Sequence, residues 1–492
     1  MSALKNIFSS IMGIGAVQRQ SIITFVEQIS FTFIGFLSTM YFAHTLGESV
    51  LGAYFLFLAY FGIINMVSDG GFGGAAIKRI SEGEEQDGYF SAFFVLRSFF
   101  VIAVITTLIT FRRYFVDLNS DGIFIWLLVA LVASLLYGTV STGVAGRGKI
   151  GIYSTCNFIN NVSRIIIQVC AVYFGFSIGG LVSGFVAGLF VAAIIEIRFF
   201  DLHFIRFGWN HIKSLSTFSF WLFLTSTGVL LYSYTDTIII GYYLKNADVG
   251  VYRVVFQFTT LAVIATTALR ATLWPKVSRW GKIGKYGHIE ESLTRAFTYS
   301  LLLAVPIFAG GILLGERLLF FFYGAGFAKG YPVLVILLVV QLVNIFQYFF
   351  TTYLGAMDRQ KDSFKVTAVA ASANIMLNLI LIPVIGIMGA AVATLVTMIL
   401  NAVLARRMLS QIITIRLEHD SILNILKASV VMALFVGSYR LFIPLSNVWL
   451  TLVPVVLGGL GYGILVLKLD RKICDELKGI FIQVNMPWPD WL

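Results

Sequence analysis

The nine residues Leu46–Tyr54 read LGESVLGAY, and the nine residues Leu244–Tyr252 read LKNADVGVY. Both fit the pattern L-x5-G-x-Y, and each joins the first two apolar segments of a longer helical block. The correspondence continues downstream. GRGK at Gly146 parallels DRQK at Asp358, and IGGLVSG at Ile178 parallels MGAAVAT at Met388, at offsets of about 200 and 210 residues. Three matches in the same order define two blocks of six segments. Because both blocks start on the same side of the membrane, the repeat is parallel, with its halves related by an axis along the membrane normal.

That the segments are membrane spans follows from composition. Of 492 residues, 58% are hydrophobic and only 12% charged, about half the charged share of soluble domains. Apolar runs long enough to cross about 30 Å of hydrocarbon at 1.5 Å per residue recur along the whole chain. The reading gives an all-α polytopic membrane protein of about 14 spans. They begin near Ser21, Leu51, Ser91, Gly122, Ile152, Ile178, Thr217, Ala247, Leu293, Tyr331, Phe364, Ile387, Leu423 and Val448. The expected organisation is an interfacial helix at 1–20, two six-helix lobes at 21–207 and 208–410, two added helices at 411–468 and a cytoplasmic tail at 469–492. Leu4, Ile7, Phe8 and Ile11 lie at helical spacing before Gln18 and Arg19, which makes the first stretch interfacial rather than a cleaved signal.

Orientation is set by the basic residues, which stay cytoplasmic in short loops. With the N-terminus inside, 26 of the 35 Lys and Arg fall on the inner side, six on the outer side and three within spans. Both termini are then cytoplasmic, as in a multi-pass protein of the plasma or inner membrane. Arg112 and Arg113 alone argue against this assignment. The net charge of +11 therefore reflects topology and anionic lipid headgroups, and no nucleic-acid partner is expected. No outer connection exceeds about twenty residues, too short for a folded domain, so the chemistry lies between the helices. Cys156, Cys170 and Cys474 form no disulfide framework or metal cluster.

Four stretches resemble the polysaccharide and O-antigen flippases of the multidrug, oligosaccharidyl-lipid and polysaccharide exporter superfamily. They are TLGESVLGAY, TDTIIIGYYLKNADVGVY, LFFFYGAGFAKGYPVLVIL and, most specifically, LGAMDRQKDSFKVTAVAASANIMLNLILIPVIGIMGAAVATLV (354–396), with Asn374 and Asn378 in its first helix. The resemblance covers nearly the whole chain. It implies two six-helix lobes around a central cavity and alternating access. It also implies movement of a lipid-linked oligosaccharide from the cytoplasmic to the outer leaflet, with glycan polymerases or glycosyltransferases as working partners.

Apparent enzyme motifs do not survive inspection. GVAGRGKI (Gly143–Ile150) begins like a phosphate-binding loop, but Ile150 stands where the magnesium-binding hydroxyl belongs and a membrane helix precedes it. The histidines His44, His203, His211, His288 and His419 lack metal-ligand spacing. The chain is expected to be no enzyme and to need no cofactor or metal.

The polar residues inside the spans carry the functional reading. Asn157, Asn160, Asn161, Arg164 and Gln168 form one stripe of the fifth segment. The tenth carries Gln341, Asn344, Tyr348 and Thr351. Uncharged members of such stripes often serve as glue between helices, whereas an intramembrane charge costs about 3 kcal/mol or more unless it meets water or a partner. A lipid-linked sugar carries a phosphate or diphosphate, which guanidinium groups bind through bidentate, charge-assisted hydrogen bonds. Three arginines lie inside expected spans. Arg164, near mid-depth, is expected to contact the phosphate or proximal sugars together with Asn157, Asn161 and Gln168. Arg97, in the inner half, assists entry, with Glu27 placed to neutralise it. Arg253 and Asp236 stand nearly equidistant from the turn at Lys245 and Asn246, which permits either a salt bridge that locks the hairpin or a substrate or gating role. Asp69, in VSDGGFGG, reads as structural, at a glycine-broken helix end. A cation-coupled multidrug exporter of the same superfamily is the alternative; a membrane glycosyltransferase fits worse, because the outer loops are short and acid-poor.

Overall fold

The computed structural model describes residues 16–114 and 122–483, with side chains from Thr32 onward except at 114, 221, 224–227, 229, 231–232, 271 and 480–483. Residues 1–15 of the expected interfacial helix and 484–492 of the tail lie outside the described residues. Among the described residues every regular element is helical. The fold is that of a polytopic membrane protein.

The first helix, α1 (Ala16–Asp69), consists of two helical pieces that meet at Gly47, whose φ of 75° and ψ of 179° only glycine adopts readily. The break falls in the first of the two L-x5-G-x-Y stretches. After Gly70 and Gly71, both at positive φ, come α2 (Phe72–Ser81), α3 (Gln86–Thr110), α4 (Ile123–Gly146), α5 (Ile150–Tyr173) and α6 (Ile178–Glu196). Next is α7 (Trp209–Tyr243), and then α8 (Asn246–Thr259), which continues through a 3-10 turn into α9 (Ile264–Lys282). The chain proceeds through α10 (Tyr286–Tyr323), the single turn α11 (Ala325–Ala328), α12 (Tyr331–Ala356), α13 (Gln360–Ile385) and α14 (Ile387–Leu409). It closes with α15 (His419–Phe442), α16 (Val448–Leu469) and α17 (Arg471–Gln483).

Eleven helices among the described residues are long and apolar enough to cross a membrane, against the fourteen expected. The first two expected spans share α1. The amides and Arg164 of α5 lower its mean hydropathy, and α7 is not among the eleven either.

The chain forms two compact units, Met1–Gly250 and Val251–Leu492. In the first, Phe72, Ile80, Phe90, Phe93, Leu202 and Leu215 form a core between α2, α3 and the start of α7. In the second, Phe297, Phe349, Phe350 and Tyr353 fill the space between α10 and α12. There α15 and α16 dock on α10 through Met432, Val436 and Tyr462, whose hydroxyl donates to the Leu302 carbonyl at 2.7 Å. The C-terminal helices are thus packed as part of the second unit.

Lipid tails are as apolar as leucine, so membrane helices associate through close packing at small residues. Gly184 and Gly188 of α6 illustrate this against α5. A Cβ on Gly184 would lie 2.5 Å from Gln168, and one on Gly188 would lie 2.9 Å from the Arg164 Cβ. The polar face of α5 is positioned by these two glycines.

The two units also repeat each other locally. The turn between α4 and α5 runs from Gly146 to Ile150 with Gly148 at φ 73°, and that between α12 and α13 runs from Ala356 to Gln360 with Asp358 at φ 62°. Both helix ends and both left-handed residues are 210 positions apart. At this offset Arg164 corresponds to Asn374 and Gln168 to Asn378.

Candidate functional site

In the first unit, α5 brings four of the expected residues onto one face. Asn157 is exposed and Asn161 partly buried, and the Asn161 amide donates to the Asn157 carbonyl at 3.0 Å. Arg164 is partly buried, with its guanidinium 5.9 Å from the centroid of the Phe185 ring and within electrostatic reach of Tyr54. Gln168, one turn further, is buried; its amide nitrogen donates to the Tyr54 hydroxyl at 2.7 Å and to the Leu181 carbonyl at 2.6 Å. It therefore ties α5 to α1 and α6. The Asn157 side chain stays exposed on this face.

Arg97 is enclosed. Only 5% exposed, it donates to the Ser134 carbonyl at 3.1 Å and lies 3.7 Å from the Asp69 carboxylate. Gly138 makes room for it, since a Cβ there would stand 2.4 Å from the guanidinium. Ser134 in turn donates to Asn65 at 2.8 Å. Asp69 also accepts from the Gly73 amide at 3.3 Å, capping the start of α2 after the glycine break. The carboxylate beside Arg97 is thus that of Asp69, and the side chain of Glu27 lies outside the described residues.

Asp236 is 6% exposed on α7 of the first unit. In the second unit, Arg253 of α8 is partly buried with its guanidinium 5.5 Å from the Phe256 ring. Gln341 is buried and donates to Thr259 at 3.2 Å, while Asn344 donates to Gln341 at 3.0 Å. Asn374 and Asn378 are buried and joined at 3.0 Å, and Asn374 donates to Thr397 at 3.3 Å. The amides equivalent to Arg164 and Gln168 are thus enclosed between α13 and α14.

Sequence reading missed Arg270. Its guanidinium stands 5.2 Å over the Tyr348 ring, on the polar face of α12. Helix α9 continues to Lys282 through Pro275, whereas the sequence pattern ends the eighth span earlier and leaves this stretch as a basic loop. The available signal was the three-residue spacing of Thr267, Arg270 and Leu273.

The turn after α4 is the basic turn expected in place of a phosphate loop. Lys149 donates to Asp201 at 2.9 Å and to the Phe199 carbonyl at 2.8 Å, and Arg147 lies 3.3 Å from Asp201 and against Gln86. The hydrogen bond from Lys149, aided by the charge of Arg147, holds the Asp201 carboxyl below its ordinary value. Among the described residues no group of three or more His, Cys, Asp or Glu side chains could hold a metal ion.

The sequence profile of the family described as "Polysaccharide biosynthesis protein" matches residues 17–280, more than half of the chain. The MatE profile matches residues 222–380. Two proteins of Haloferax volcanii are similar over nearly their full length. The "Probable low-salt glycan biosynthesis flippase Agl15" is 25% identical over 444 residues, covering 90% of this chain and 94% of its own. The "Probable flippase AglR" is 25% identical over 470 residues, covering 94% and 97%. Among solved structures, "Lipid II flippase MurJ, inward closed conformation" superposes with a TM-score of 0.76 at 19% identity, covering 92% of this chain and all of that one. That likeness concerns the fold.

Proposed function

We propose, for a chain that belongs to the polysaccharide biosynthesis protein family, that it is a flippase for a lipid-linked oligosaccharide. The substrate is a polyprenyl phosphate- or diphosphate-linked glycan, moved from the cytoplasmic to the outer leaflet of the cell membrane by alternating access, with both chain termini cytoplasmic. Residues 21–207 and 208–410 form the two lobes. The names of the two Haloferax relatives support the substrate class.

The single observation that carries the reading is the open face of α5, where Arg164 stands beside exposed Asn157 and partly buried Asn161. A planar guanidinium in a low-dielectric cavity suits a phosphate, and the neighbouring amides suit sugar hydroxyls. Gln168 and Arg97 act one step back. Gln168 anchors α5, and Arg97 anchors α3 to α4 near the inner end. Asp236 and Arg253 keep the two roles given by their sequence depth, hairpin lock or gate. No step requires bond making or breaking, and glycosyltransferases would supply the substrate.

Transport of a fluorescent polyprenyl diphosphate oligosaccharide across reconstituted vesicles tests this. Arg164→Lys keeps charge but loses the fork, and loss of about 1.5–3 kcal/mol of charged hydrogen bonding lowers the flux by about 10- to 100-fold. Wild-type flux in normally inserted Arg164→Lys and Arg164→Ala proteins would overturn the site. The match to the MatE profile favours the second reading, a multidrug exporter; cation-driven dye efflux without lipid movement would establish that reading instead.

A further inference from the structure

Glu196 ends α6, and it is 0% exposed. Among the described residues neither carboxyl oxygen receives a hydrogen bond of full geometry, and the one hydroxyl close enough to give a weak one is that of Ser141, itself buried. Three helices converge on this carboxyl. Tyr137 and Ser141 face it from α4, one turn apart, and Cys156 faces it from α5. Helix α1, which meets α6 where Phe57 and Phe61 pack on Phe185, brings no titratable group to act on it among the described residues. The charged groups nearest in sequence are Arg198 and the Asp201, Arg147 and Lys149 cluster, whose salt bridges close the mouth of the α4–α5 turn. Four residues separate Glu196 from Asp201, so the carboxyl lies within about two helical turns of the Asp201 cluster.

An ionised carboxylate so poorly hydrogen-bonded in such surroundings costs several kcal/mol, a cost that a bound proton removes. A metal ion is a poor alternative. Hard cations ask for about six or more oxygen ligands, and here one carboxyl meets hydroxyls and a thiol. Cations of softer character prefer deprotonated sulfur or imidazole, and Cys156 is the one such neighbour.

We infer that Glu196 is a proton-binding site whose occupancy controls how α4, α5 and α6 pack. Protonated, it fits the dry junction. Deprotonated, with its proton passed to water at the face closed by Asp201, it needs hydration or separation of the three helices. Helix α5 carries Arg164 two turns beyond Cys156, so the same rearrangement moves the phosphate-binding face. The site thereby makes the transport step sensitive to pH on the side of the α4–α5 turn. This coupling rests on the flippase reading of the α5 face, whereas the proton site itself does not.

Two measurements on the full-length protein separate the claims. Difference infrared spectra of the purified protein, taken across a pH titration, report the carbonyl stretch of a protonated carboxyl in an apolar site. The expected result is a band in the wild type that disappears at high pH, is absent in Glu196→Gln and shifts its midpoint in Tyr137→Phe. In vesicles, wild-type lipid-oligosaccharide flux changes by about tenfold, the effect of one pKa unit of coupling, and Glu196→Gln flattens that response. A wild type without a titrating band, or a Glu196→Gln protein with the wild-type pH response, overturns the inference. A titrating band in a protein that moves no lipid-linked oligosaccharide at any pH upholds the proton site and removes the flippase reading. Melting of Glu196→Gln at or above the wild-type temperature shows that loss of pH response is not loss of fold.

Discussion

Gly52 and Gly250 hold equivalent places in the two L-x5-G-x-Y stretches, and they pack against one another backbone to backbone. A Cβ on Gly52 would lie 1.7 Å from the Asn246 carbonyl oxygen and 2.8 Å from the Gly250 nitrogen; one on Gly250 would lie 2.1 Å from the Glu48 carbonyl oxygen and 3.1 Å from the Gly52 nitrogen. Asn246 and Glu48 are themselves equivalent positions. The contact is therefore reciprocal. Because the obstructing atoms are backbone, no side-chain rotation relieves the clash. Gly52→Ala and Gly250→Ala each cost about 1–3 kcal/mol or more through overpacking, seen as lower melting temperatures in detergent. Unchanged melting of both variants would show that the approach is not close in solution.

The Arg97 and Asp69 pair predicts a different pattern. Asp69→Ala leaves a guanidinium that is 5% exposed without its nearest carboxylate and removes the cap of α2, a loss of about 3 kcal/mol. Arg97→Met combined with Asp69→Asn keeps the cap and removes the stranded charge, so part of the stability returns. A double variant less stable than Asp69→Ala would show that Arg97 is held by its other contacts alone.

Arg270 is exposed over Tyr348, and its replacement separates binding from folding. Arg270→Ala lowers flux by about 5- to 30-fold, as befits 1–2 kcal/mol, with no change in melting temperature. Arg270→Lys recovers part of the flux because the charge over the ring is retained. Equal flux in wild type and Arg270→Ala would show that this exposed cation takes no part in transport.

Acid acts at the α4–α5 turn through Asp201. Its carboxyl titrates below the ordinary value of about 3.9 because Lys149 hydrogen-bonds to it and Arg147 stands near. A depressed carboxylate contributes stability fully above the unfolded value, and that contribution is lost as pH falls through the folded value. Wild-type melting therefore drops towards Asp201→Asn only below about pH 4. A difference between the two that persists unchanged to pH 2 would contradict this, and it would be small at any pH because exposed pairs contribute little.

Much of this arrangement is written in the sequence. Apolar runs placed the helices, and the L-x5-G-x-Y echo placed the repeat, because hydrocarbon forces each spanning backbone to satisfy itself locally and local patterns then suffice. Identity of the polar residues was equally legible: Arg97, Arg164, Gln168 and Gln341 stand out in any apolar run. Their fate was not. Helical spacing assigns a residue to a face, but which neighbour covers that face depends on contacts between segments far apart in the chain. Tyr54 and Leu181 engage the amide of Gln168, Asp69 and Ser134 enclose Arg97, and Thr259 takes up Gln341, while Asn157 stays open. Glu196 shows the limit best. It stands at the end of an apolar run beside Arg198, where nothing local marks it, and only the convergence of α4, α5 and α6 buries it. The sequence alone determined that the chain is a series of long apolar helices and which polar groups they carry. Tertiary packing decided which of those groups are enclosed in holding helices together and which stay exposed, because desolvation is a property of the surroundings and not of the residue.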